Sequence, residues 1–234
     1  MSHTNYKLNI IINIMKLESD GILISLRPLN ERDSVASIFT REFGMLSGVM
    51  RGAVVAKKNR ALVGQVGAAS WNARLDSQLG AFHWESVENL AAPLMMDMKS
   101  LGFMNAAFAL ISGLLPEREQ YVNLYDSTTR MLRNLKMRDS ETEYLNWEID
   151  LLRDLGFALD LSHCSGCGRS DNLHYMSPKT GRAVCDDCAA PYINKLYKLP
   201  INMDITLHFI ANACAQMGID TPVARMFLLR MEKN

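Results

Sequence analysis

Gly21-Ile22-Leu23-Ile24-Ser25-Leu26-Arg27 is a short apolar run stopped by Pro28, and together with the runs C-terminal to it this segment decides the fold of the N-terminal part. Ser34 to Thr40 brings a second run with Val35, Ile38 and Phe39. Arg41-Glu42-Phe43-Gly44 reads as a turn, and Met45 to Arg51 as a third strand. Val63 to Trp71 and Leu79 to Val87 complete four to five strands, joined by turns containing Gly or Asp. Five short strands in about 75 residues suit a small closed barrel, because closure removes exposed sheet edges. Between the third and fourth strands, Val54 to Ala61 is basic and carries no strand pattern.

After Pro93 the pattern changes to helix. Leu94 to Leu115 is rich in Met, Ala and Leu. Its uncharged part, Ser100 to Leu115, is too short to span a bilayer and contains Asn105 and Ser112, so it reads as a buried helix. Pro116 is placed in the first turn of the next helix, where its missing N–H costs nothing. In that helix Tyr121, Leu124, Tyr125, Met131, Leu132 and Leu135 recur at three- and four-residue steps. Glu141 to Leu155 sets Tyr144, Trp147, Leu151, Leu152 and Leu155 on one stripe, with Gly156 at the C-cap. Ile201 to Met217 and a final helix opened by Thr221-Pro222 end the chain. The apolar N-terminus, Leu8 to Ile14, lacks the basic flank and cleavage site of a signal peptide, so a cytoplasmic location is expected.

The chemistry lies in Cys164-Ser165-Gly166-Cys167 and Cys185-Asp186-Asp187-Cys188. Two CxxC knuckles at this spacing supply four thiolates for one tetrahedral ion, and zinc fits best among common metals. An iron–sulfur cluster uses the same donors. Two disulfides need an oxidising compartment, and a redox CxxC needs a single pair beside a βαβ unit. Between the knuckles, Leu173 to Met176 and Arg182 to Val184 read as a hairpin. With four cysteines at hand, His163 and His174 are expected to stand outside the ligand set. All four positions are filled by protein, so the ion is structural, whereas catalytic zinc needs an open position. Cys214, in an apolar helical stripe, reads as a buried core thiol.

No nucleotide, hydrolase or metalloprotease motif is present. His83 and Glu85 are read as unable to cooperate, since strand neighbours face opposite sides. Phe43, Trp71, Phe82 and Trp84 are read as core. Twenty-five basic residues balance 25 acidic ones, yet the charges are unevenly distributed. Arg27 to Arg74 holds eight bases against Glu31, Asp33 and Glu42, whereas Asp139 to Asp160 holds seven acids against Arg153. Arg51, Lys57, Lys58, Arg60 and Arg74 fall in a stretch without any acid. On a small barrel such a face can track a nucleic-acid backbone.

Asp20 to Ile24 with Arg27-Pro28, then Phe39-Thr40-Arg41-Glu42-Phe43-Gly44-Met45-Leu46-Ser47 and Arg51-Gly52-Ala53, resemble the N-terminal domain of the RecO family. Leu151 to Cys164 resembles the helix leading into that family's zinc knuckle, Met176 to Cys185 its hairpin, and Ala224 to Leu229 its last helix. The stretch Val66 to Glu85 is similar to alphaproteobacterial members. The resemblance implies an α+β protein with an OB-fold barrel at 15–90. A helical domain at 91–234 carries a four-cysteine zinc knuckle at 164–188, and residues 1–14 form an N-terminal extension. It also implies a non-enzymatic mediator that binds single- and double-stranded DNA and anneals complementary strands. Such a mediator works with RecR and single-stranded-DNA-binding protein to load RecA. Arg27 and Arg41 then join Arg51, Lys57, Lys58, Arg60 and Arg74 as the candidate DNA-binding set. The acidic, apolar-ended tail of the single-stranded-DNA-binding protein is expected in a groove of the helical domain whose residues the sequence does not single out, Lys195, Lys198 and Arg225 being candidate rim positions. Two rivals remain: an RNA-binding OB-fold with a zinc knuckle, and a zinc hydrolase, which requires an open metal position.

Overall fold

The computed structural model describes residues 15–55, 60–73, 79–137, 139–157 and 159–231. The extension at 1–14 lies outside them. Strand β1, Met15–Pro28, starts well before the apolar run that marks it in the sequence. Its first part pairs with β4 (Gln65–Ala73) and its second with β2 (Ser34–Thr40), the register shifting between Leu23 and Ser25. A strand shared this way between two neighbours must coil strongly, and such an irregularity supplies the bend. The early half carries no strand signal because Leu17 is its one apolar residue between Lys16 and Asp20.

With β3 (Gly44–Met50) and β5 (Gly80–Asn89) the strands close in the order β1-β2-β3-β5-β4, and β3 runs parallel to β5 through Gly48 and Gly80. This is an OB-type barrel. Leu23, Ile38, Leu46, Met50, Trp71 and Phe82 fill it. Ile22, Ile24, Phe39 and Met45 instead belong to the core shared with the helices. Both faces of β1 are therefore buried over Ile22-Leu23-Ile24, which is why strict alternation fails there. Trp71 and Phe82 are core residues as expected, while Phe43 and Trp84 are partly buried at its margin.

The helical part begins later than the sequence suggests. Ala92–Leu94 is a 3-10 turn around Pro93, and α1 spans Met98–Leu114, capped by Asp97, whose carboxylate accepts from Lys99 N–H at 3.1 Å. Most of α1 is buried, and no helix among the described residues is long and apolar enough to cross a membrane. Pro116 does not open the next helix. Residues 116–121 run along the barrel, where Arg118 N–H donates to Met45 O at 2.9 Å, and only then does α2 (Val122–Asn134) begin. Backbone pairing with β3 outweighs the local preference of Pro116 for a helix start.

Helix α3, Ser140–Asp154, ends where expected: Gly156 has φ +86° and donates to Arg153 O, and Phe157 N–H donates to Leu152 O. The hairpin strands β6 (Tyr175–Met176) and β7 (Ala183–Val184) are joined by an unanticipated third, β8 (Tyr197–Lys198). The short helix α4 (Asp186–Ala189) and a 3-10 helix (Ala190–Lys195) link them, and α5 (Met203–Gln216) and α6 (Val223–Met231) follow.

Barrel and helices are joined by specific contacts. Arg41 makes two 2.9 Å bonds to Asp126 of α2, Arg133 reaches Glu88 at 2.7 Å, and Phe39 meets Tyr125 edge-on at 5.7 Å.

Candidate metal centre and nucleic-acid interface

The chain before β6 turns tightly at the first knuckle, with Cys164 N–H donating to Arg169 O and Gly168 N–H to Cys164 O. Cys185 follows β7 and caps α4, and Cys188 lies within that helix. Hairpin and helix together bring the sulfurs of Cys164, Cys167, Cys185 and Cys188 within 4.8 Å of one another. Gly166 and Cys185 N–H groups each donate to Cys164 Sγ at 3.3 Å. Those amides, Cys185 first, push the Cys164 thiol down to about 6. Cys188 is pushed up to about 12 by its hydrogen bond to Cys185 and by the other crowded sulfurs. Four converging sulfurs that cannot all ionise alone, already met by backbone N–H donors, fit a cation of soft-ligand preference.

Cys167 and Cys185 sulfurs lie 3.6 Å apart, far beyond the roughly 2.05 Å of a disulfide. His163 is bonded to Ser162, and His174 to Asp186 at 2.9 Å, so neither turns toward the sulfurs. Cys214 is buried in α5, where burial raises its thiol.

The basic residues divide between the two ends of the barrel. Strand register aligns Arg27 with Val35, and Val35 with Val49, in one row on the outer face, and Arg51 continues that face beyond β3. Arg27, Arg51 and Arg60 are exposed. The β1–β2 turn and the start of the β3–β4 connection are pinned together, Val54 N–H donating to Arg32 O at 3.1 Å and Gly52 N–H to Asp33 at 2.9 Å. The Gly52 amide, then Asn30, holds the Asp33 carboxyl below the usual carboxylate range. Exposed Arg32, which no sequence motif singles out, therefore stands at the same end as Arg27 and Arg51; the turn pairing that carries it there is non-local. Lys57, Lys58 and Arg74 lie outside the described residues. Arg41 sits at the opposite end, and its bond to Asp126 raises its already high pKa.

A second barrel face is acidic. Glu18, Asp20, Glu42 and Glu85 line a concavity of about 580 Å³ together with His83. Contrary to expectation, His83 and Glu85 do pair: residues two apart on a strand face the same side, and His83 Nε2 lies 3.1 Å from Glu85.

In the helical part, Phe157, Leu159 and Phe209 floor a groove of about 490 Å³ between α5 and the hairpin turn, with Lys179 and Asn212 at its edge. Arg225, expected at a rim, is fully buried and bonded to Glu148. A guanidinium can meet a ligand only where it is not already sealed into the core by a carboxylate.

The family model described as recombination protein O N terminal matches residues 15–89, and that described as recombination protein O C terminal matches residues 95–208. The chain belongs to the RecO family. Its relatives include the DNA repair protein RecO of Jannaschia sp. (strain CCS1), 34% identical over 226 residues, covering 89% of this chain and 92% of the relative. The DNA repair proteins RecO of Dinoroseobacter shibae and Roseobacter denitrificans are 38% and 39% identical, each match covering 80% of this chain and 78% of the relative. The RecO matches take in the barrel, and the C-terminal one ends within α5, after the four-cysteine knuckle.

Proposed function

We propose that this RecO protein is a DNA-repair mediator that binds single- and double-stranded DNA and anneals complementary strands without nucleotide hydrolysis. With RecR it helps load RecA onto DNA coated by single-stranded-DNA-binding protein, in the cytoplasm at the nucleoid. The observation that carries this reading is the separation of charge on an OB-type barrel in a chain matched by both RecO family models. Arg27, Arg51 and Arg60 at one end of the barrel neutralise phosphates, joined by Lys57, Lys58 and Arg74 of the sequence set, while the Glu18–Glu85 face repels them. Arg41 serves by holding the barrel against α2.

In this reading the four cysteines hold one structural zinc. When bound, it supplies a fixed tetrahedral crosslink, and the hairpin, α4 and the residues after it take their positions from that crosslink. The chain divides into an extension (1–14), the barrel unit (15–90) and the helical unit (91–234). The groove floored by Phe157, Leu159 and Phe209, with Lys179 at its edge, suits an acidic peptide with an apolar end, such as the tail of the single-stranded-DNA-binding protein. The test is annealing of complementary DNA strands coated with that protein, without ATP. Accelerated annealing supports the reading; acceleration confined to RNA strands, or none, overturns it.

A further inference from the structure

From Ala189 to Met203 the chain carries no acid, two lysines and two tyrosines. This stretch leaves the sulfur cluster as the 3-10 helix Ala190–Lys195 and ends on β8, an edge of its small sheet. A 3-10 helix has three residues per turn, so Tyr192 and Lys195 share one face. Tyr192 is 59% exposed, and Lys195 is exposed as well. Tyr197 turns inward against His208, ring centroids 5.6 Å apart, and strand alternation then points Lys198 outward. On the knuckle side Asp186 is occupied by His174 at 2.9 Å and Asp187 by Arg169 at 2.8 Å, while Asp204, at the start of α5, stands near Tyr197, whose hydroxyl is pushed up by burial first and by that carboxylate second. Leu199 N–H donates to His174 O at 2.9 Å, and Lys198 pairs with Tyr175, so the knuckle fixes the position of this rim.

We propose that Tyr192, Lys195 and Lys198 form a second contact for single-stranded nucleic acid, distinct from the barrel loops. An exposed ring with Lys195 on its own helical face and Lys198 on the strand that follows offers a stacking surface for a base and counter-charge for its phosphates. The proposal rests on the DNA-binding reading and adds to it a place for the second strand. Annealing requires two polyanions to be held near each other, and two cationic contacts on one molecule do that.

The experiment is photo-crosslinking of the full-length, metal-loaded protein to a 5-iodouracil oligonucleotide, with the crosslinked peptides mapped by mass spectrometry. It is paired with Tyr192→Ala and with Lys195→Ala/Lys198→Ala. We expect a crosslink at Tyr192 and annealing slowed about ten-fold in Tyr192→Ala, since stacking on an aromatic ring is commonly worth that much in affinity. In the lysine variant the salt slope of single-strand binding should flatten by about 1.4, from two contacts at about 0.7 each. Metal content and melting temperature should stay unchanged. Crosslinks confined to barrel peptides, with both variants annealing normally, overturn the rim while sparing the DNA reading. Absence of crosslinks anywhere, together with absence of annealing, overturns both.

Discussion

Arg225 of α6 and Glu148 of α3 form an ion pair with both side chains wholly removed from solvent. Arg225 Nη2 donates to Glu148 at 3.0 Å and to Met203 O at 2.7 Å, and Thr206 Oγ1 donates to the same carboxylate at 2.6 Å. Three helices, α3, α5 and α6, are thereby tied at one point. Removing one charge strands the other in the core, so Arg225→Ala should cost about 3–5 kcal/mol. Glu148→Leu/Arg225→Met, which removes both charges and keeps volume, should recover most of that loss. Urea denaturation of the single and double variants measures it, and single variants within about 1 kcal/mol of the parent would show that water reaches the pair.

Asp97 caps α1, and the Ser100 hydroxyl bonded to its carboxylate, helped by Lys99 N–H, holds the pKa below the usual range. The folded state thus prefers the ionised form. Its contribution is present above the unfolded aspartate pKa of about 3.9 and is lost as pH falls through the lower folded value. Asp97→Ala should cost about 1 kcal/mol near neutrality, and its melting-temperature gap from the parent should close below about pH 4. Thermal melts between acid and neutral pH check this; a gap that persists unchanged into acid contradicts it.

Gly80 begins β5 against the Trp71 ring, which fills the barrel and donates from Nε1 to Ser47 O at 2.9 Å. A Cβ at Gly80 would lie 2.1 Å from that ring, and one at Gly48 would lie 2.9 Å from Gly80 O. The buried indole cannot retreat, because Arg118 lies over it at 4.8 Å and the barrel closes around it. Gly80→Ala should therefore destabilise the protein by about 1–3 kcal/mol, as overpacking does. Red-shifted or broadened tryptophan emission at equal temperature should accompany the lower melting point; unchanged emission and stability would show that the barrel opens freely there.

Metal loading should follow the cluster and not the cysteine count. Cys164→Ser or Cys185→Ser should lose zinc and the protection of the hairpin, whereas Cys214→Ser, in the core of α5, should keep a full complement. Elemental analysis with melting curves before and after chelation distinguishes these. Equal zinc in all three variants would place the ion elsewhere.

The two knuckles are legible in the sequence because metal ligation imposes a spacing that local chemistry alone dictates. So is the helix end at Gly156, where a positive φ and two backbone bonds explain the residue. The early half of β1 is not, since its register with β4 is set by residues about fifty positions away. Residues 116–121 mislead for the same reason, their partner being Met45 on β3. Arg225 and Arg41 show the limit for charged sites. Sequence reveals a cation, and only the fold reveals that Glu148 and Asp126 already hold it. The gathering of Arg27, Arg32 and Arg51 at one barrel end likewise depends on a pairing between two turns.

The basic residues between β3 and β4 are the most direct place to test DNA binding. If Arg51, Lys57, Lys58 and Arg60 each meet a phosphate, single-strand binding should carry a slope of log affinity against log salt of about −0.7 per contact, so the four supply roughly −3. Replacing all four with Ala should weaken binding to unrelated sequences alike, because phosphate contacts carry no sequence information. The melting temperature should hardly move, as exposed charges contribute little to stability. The measurement is fluorescence anisotropy of a labelled single strand across a salt series, for parent and quadruple variant. We expect weaker binding and a flatter slope by about 3 in a folded variant. A folded variant that retains both the affinity and the slope of the parent would contradict a DNA site on the barrel.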